Sequence, residues 1–96
     1  MSARFSIHPE VRTTPGDEDG SVLINLQSGK VFSLNGTGAK VWTMIAQGAN
    51  FDGVLDALGR EYQIPSEELR NDLNGFIQEL GRKDLLQVTV PVNSRN

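Results

Sequence analysis

Few side chains in this chain could carry covalent chemistry. The one histidine, His8, sits beside Pro9 near the N-terminus, and the chain contains no cysteine. A nucleophile needs a base within reach, and here a surface histidine stands alone. Thiolate zinc sites, disulfides and cysteine nucleophiles are excluded outright. Asp17-Glu18-Asp19 is a run of acids, but neighbouring side chains diverge and no ligands follow at the spacing of a calcium loop. Gly36-Thr37-Gly38 falls short of a phosphate cradle, because it lacks both the Gly-Lys-Ser/Thr ending and the third glycine of a dinucleotide fingerprint. Turn geometry and helix capping account for those residues. The expectation is a protein that is not an enzyme and uses no metal or cofactor. What remains for function is backbone and apolar surface.

The elements that present those surfaces must fit within 96 residues, enough for one modest core without covalent staples. One domain spanning 1–96 is expected, ordered over about 5–90 and followed by a polar tail. A net charge of −3 and a pI near 5.0 oppose the phosphate attraction behind most nucleic-acid binding. The apolar runs fall far short of the ~20 residues needed to cross a bilayer, and Met1-Ser-Ala-Arg-Phe lacks the pattern of a signal peptide. A cytoplasmic protein that binds neither membrane nor nucleic acid is expected.

From Arg4 to Thr14 alternation is weak and Pro9 interrupts it, so an irregular lead-in should give way to an edge strand near Val11 to Thr14. Pro15 to Gly20 reads as a solvated hairpin loop. Ser21 to Leu26 is a second strand, and Gln27-Ser28-Gly29 turns into a third, Lys30 to Leu34. On that third strand Phe32 and Leu34 should face the core, with Val31 and Ser33 on the other side. Ala39, Val41, Trp42, Ile45 and Ala46 then recur at helical spacing, with Asn35 or Thr37 placed to cap and Gly48 to terminate.

A second helix should run from near Asn50, on the stripe Phe51, Val54, Leu55, Leu58 and Tyr62, and stop before Ile64-Pro65. The third should be capped by Ser66, favoured by Glu67 and Glu68 in its first turn, and end near Arg82 or Lys83. Its stripe is Leu69, Leu73, Phe76, Ile77 and Leu80. Leu85 to Val90 is strand-like, and Pro91 to Asn96 should fray. The sum is an α+β fold resembling a winged helix-turn-helix: a three-stranded antiparallel N-terminal sheet followed by three helices. Trp42 belongs to the core. Two surfaces stay open: the outer edge of the third strand, and one side of the broad helix-three stripe. Gly75 on that helix reads as a tolerated surface glycine, with room for another chain as the alternative.

Val22 to Trp42 (V-L-I-N-L-Q-S-G-K-V-F-S-L-N-G-T-G-A-K-V-W), a helix ending at Tyr62, and Asp72 to Leu86 (D-L-N-G-F-I-Q-E-L-G-R-K-D-L-L) resemble the PqqD-like family. Gly29, Phe32, Leu34-Asn35, Thr37-Gly38-Ala39 and Val41-Trp42 carry most of the likeness, with Leu80 and Leu85-Leu86 after them; it spans roughly residues 10–88. The family comprises precursor-peptide recognition elements of ribosomal peptide natural-product pathways. The resemblance implies capture of a leader peptide as an extra strand on the third strand, against the third helix. Lys30, Val31, Phe32, Ser33 and Leu34 would form one wall, and Leu69, Asp72, Leu73 and Phe76 the other.

It also implies a separate processing enzyme that receives the peptide. A lasso-peptide leader peptidase is favoured, and a radical maturation enzyme, as in redox-cofactor biosynthesis, is the rival. Pairing of two copies through the same edge leaves a monomer or a weak homodimer. The alternative class is a winged-helix DNA-binding regulator. It would insert the third helix, whose early turns carry Glu67, Glu68 and Asp72 with Arg70 as the sole base, the wrong sign beside phosphates.

Overall fold

The computed structural model describes residues 3–89. In chain order the elements are β1 (Arg4–Ile7), β2 (Val11–Pro15), β3 (Ser21–Asn25), β4 (Val31–Leu34), α1 (Gly36–Ala46), α2 (Phe51–Tyr62), α3 (Ser66–Arg82) and β5 (Leu86–Thr89). β2, β3 and β4 form the expected antiparallel sheet in that order, so β4 is an outer strand. The third predicted strand is therefore β4, because one more strand precedes it. Val90 and the expected tail from Pro91 to Asn96 lie outside the described residues.

The extra strand is the main departure from expectation. Arg4 to Ile7 is no irregular lead-in: it pairs antiparallel with β5, Phe5 opposite Val88 and Ile7 opposite Leu86. Its local pattern is weak because its partner lies at the far end of the chain, and a strand made by long-range pairing leaves little local signature. The entry to α3 also differs. Pro65 occupies the cap position at φ −53°, and no side chain caps the helix. Ser66 is already helical, because the fixed φ of proline sets the entry one residue earlier. Glu67 and Glu68 remain in the first turn, where the dipole favours them.

The other helices start as their sequences dictate. Asn35 Oδ1 accepts the Gly38 N–H at 2.8 Å to cap α1, and Asn50 Oδ1 accepts the Gly53 N–H at 2.8 Å to cap α2. Gly29 takes φ +78° in the β3–β4 turn, a conformation that glycine adopts without strain.

One apolar cluster joins the sheet to all three helices. Leu23 from β3, Val54 from α2 and Leu80 from α3 lie at its centre with no exposure. Trp42 is only 3% exposed, and its Nε1 donates to Thr13 Oγ1 at 3.0 Å, tying α1 to β2. Asn25 is a buried polar anchor at 1% exposure. Its Nδ2 donates to the Asp84 carbonyl at 2.9 Å, while its Oδ1 accepts the N–H groups of Gln27 at 2.9 Å and Ser28 at 3.1 Å. This one side chain joins the β3–β4 turn to the link between α3 and β5.

Candidate functional site

The backbone of β4 determines what its outer edge offers. Asn25 N–H donates to Lys30 O at 2.9 Å, and the register places Ile24 opposite Val31, Leu23 opposite Phe32 and Ser21 opposite Leu34. An antiparallel ladder alternates along the strand, so Phe32 and Leu34 turn their N–H and C=O toward β3. Val31 and Ser33 turn theirs outward. Two donors and two acceptors therefore line an edge that no strand pairs with among the described residues.

The side chains alternate as well. Leu34 is buried and Phe32 half-buried toward the core, whereas Ser33 is exposed and Val31 is 58% exposed on the other face. Beside the Phe32 and Leu34 side of β4 lies a groove of about 370 Å³. Its far wall is α3. Phe32, Ser33, Leu34, Leu69, Asp72, Leu73 and Phe76 all line it, so both sets of expected residues meet across one opening. Lys30 and Val31 do not line it; Val31 reaches the edge through its backbone alone.

The α3 stripe divides its work. Leu69, Leu73, Ile77 and Leu80 are buried, and Phe76 is left half-exposed on the groove side. The first turn of α1 lies against this wall: a Cβ on Gly38 would sit 3.4 Å from the Phe76 ring, at the near limit of ordinary contact. Gly75, by contrast, faces open space.

Sequence reasoning missed the deeper end of the groove. Past the end of β4 it continues between Val41 of α1, Leu58 and Tyr62 of α2, and Ile64 in the α2–α3 link. Those residues looked like ordinary helix stripe, and only the mutual angle of three helices opens a space between them. Tyr62 and Ile64 flank Gln63, a left-handed residue at φ 54° that turns the chain out of α2. Lys40 braces Tyr62 from outside: its Nζ lies 5.5 Å from the ring centroid and pairs with Glu61. The hydrogen bond to Glu61, and then that to Tyr62, raises the Lys40 pKa and keeps the ammonium charged.

Charge is sparse within the groove, where Asp72 is the one ionisable carboxylate in the lining. At the start of β4, Lys83 Nζ lies 5.4 Å from the Phe32 ring centroid. His8 sits apart, with its Nδ1 accepting the Glu10 N–H at 3.0 Å in a turn. Among the described residues no group of three or more His, Asp or Glu side chains could hold a metal ion, and no helix is long and apolar enough to cross a membrane.

Two solved structures share this fold. TbiB1 in complex with the TbiA(beta) leader peptide superposes with a TM-score of 0.83 at 29% identity, covering 90% of this chain and 99% of that one. A lasso peptide synthetase B1 complexed with the leader peptide gives a TM-score of 0.79 at 24% identity over 88% and 98% of the two chains, a likeness of fold. No curated protein sequence matches the chain. Residues 20–86 match the family described as coenzyme PQQ synthesis protein D (PqqD). The β3–β4 hairpin, all three helices and the groove between β4 and α3 fall within that span, and the protein belongs to the PqqD family.

Proposed function

We propose that this protein binds the leader region of a ribosomally made precursor peptide and performs no catalysis. The leader adds as a strand to β4, sends side chains into the groove against α3, and is handed to a separate processing enzyme. The observation that carries this is the free edge of β4, with the outward N–H and C=O groups of Val31 and Ser33 beside an apolar groove. Main-chain bonds of this kind fix register, at a net ~0.5–1.5 kcal/mol each. An apolar leader side chain filling the space beside Phe76 or Tyr62 would add ~1.5–3 kcal/mol, so one or two anchors decide affinity.

The similarity to TbiB1, solved in complex with a leader peptide, supports leader binding. The receiving enzyme favoured in this reading is a lasso-peptide leader peptidase. A radical maturation enzyme as the recipient is the second reading, in keeping with a family described by coenzyme PQQ synthesis. Amide hydrogen exchange with the leader of a precursor encoded beside this gene tests the binding mode. Val31 and Ser33 amides, free in the unbound protein, should become protected, while those of Phe32 and Leu34 change little. Protection confined to other elements would contradict strand addition.

A further inference from the structure

The two ends of β4 stand beside opposite charge. At the start of β4 stand Lys30, immediately before the strand, and Lys83, over the Phe32 ring. Arg82 lies alongside, and among the described residues Glu79 is the acid paired with this group, its Oε2 3.6 Å from Lys83 Nζ. At the end of β4 the signs reverse. Asp72 shares the groove with Leu34 and Asn35, and the loop carrying Asp17, Glu18 and Asp19 forms a hollow with the same stretch of β4.

That loop is held in place. Its Gly20 lies so close to the Leu34 carbonyl that a Cβ there would collide with it. Glu68 joins Asp72 at the edge of α3, and Lys40, which shares a hollow with Asp19, is already paired with Glu61. Among the described residues, Asp17, Glu18, Asp19 and Asp72 have no ion-pair partner.

We infer that this asymmetry selects the charge pattern of the bound peptide: basic residues ahead of its apolar strand and acidic residues after it. The inference rests on strand addition to β4. The sheet is antiparallel throughout, and antiparallel pairing is the more stable kind, so the incoming strand runs opposite to β4. Its N-terminal half then lies beside Leu34 and the acids, and its C-terminal half beside Lys30 and Lys83. A peptide of the reversed pattern meets like charge at both ends. Screening over ~8 Å at physiological salt confines the effect to these ends and makes it salt-dependent.

The test pans a random-peptide display library against the wild-type protein and against the Asp72→Lys/Lys83→Glu double variant, retaining only peptides that Val31→Pro releases. Wild type should enrich basic residues before the apolar core and acidic residues after it, and the double variant should weaken or invert that bias. Reversing the charges of the best wild-type binder should cost about tenfold in affinity at low salt, a gap that closes near ~0.5 M salt. Asp72→Lys alone, at an exposed position, repeats the test at one end should the double variant fold poorly. Binders without charge polarity, or with the same polarity in every variant, overturn the inference and leave strand addition standing. If every binder ignores Val31→Pro, strand addition fails and takes the inference with it.

Discussion

Val31→Pro separates docking from folding. The Val31 N–H points away from β3, so proline removes a hydrogen-bond donor that the fold does not use, and outer strands accept proline on their open side. β2 provides an internal precedent. The Gly16 N–H donates to Gly20 O at 3.0 Å, which by the same alternation leaves the proline nitrogen of Pro15, the last residue of that outer strand, facing away from β3. The variant should keep its near-UV spectrum and the fluorescence of buried Trp42. A docked leader, however, would lose one main-chain bond and leave a carbonyl facing the proline ring, at about 1–3 kcal/mol. That corresponds to a roughly 5- to 150-fold weaker Kd in a fluorescence-anisotropy titration with labelled leader. Ser33→Pro should behave alike, whereas Phe32→Pro breaks the pairing with Leu23 and should unfold the sheet. If Val31→Pro and Ser33→Pro both remain folded and bind leader like the wild type, strand addition to β4 is wrong.

Asn25→Ala strands the Asp84 carbonyl and the Gln27 and Ser28 amides, and should lower stability by about 2–4 kcal/mol in urea denaturation. Asn35→Ala removes the α1 cap and should cost about 1 kcal/mol by the same measurement. Phe76→Ala opens the groove wall. Being half-buried, Phe76 should cost about 1–2 kcal/mol of stability, with leader affinity falling about tenfold in isothermal titration calorimetry. A gel shift with duplex DNA should show no tight, steeply salt-dependent binding, since Glu67 and Glu68 would face the phosphates from the first turn of α3.

What the sequence revealed was local. Asn35, one of two cap candidates for α1, and Asn50, near which the sequence places the start of α2, were legible because a capping side chain acts within three residues of itself, and the alternation of Phe32 and Leu34 gave the inner face of β4. The breadth of the α3 stripe pointed to a side left over from the core, without singling out Phe76. β1 escaped notice because its bonds are made to β5, far along the chain. The deep end of the groove escaped for a related reason: Val41, Leu58, Tyr62 and Ile64 become a wall only when three helices meet at a particular angle. Asn25 looked like a strand residue before a turn, and its reach to Asp84 spans elements that no periodicity links. Which amides of β4 point outward depends on register, which the Asn25–Lys30 hydrogen bond sets.

The β1–β5 ladder sets Arg4 directly across from Thr89, and Phe51 N–H clasps the Ala3 carbonyl at 3.0 Å. The strands nearest the two termini thus lie side by side, about one interstrand spacing apart (~4.8 Å). A unit of this shape can be spliced into a surface loop of another protein without prying that loop open, or re-threaded with new termini at an exposed turn such as Asp17–Asp19. The ladder that closes the fold therefore also makes it portable, a cassette that a larger chain could carry in line.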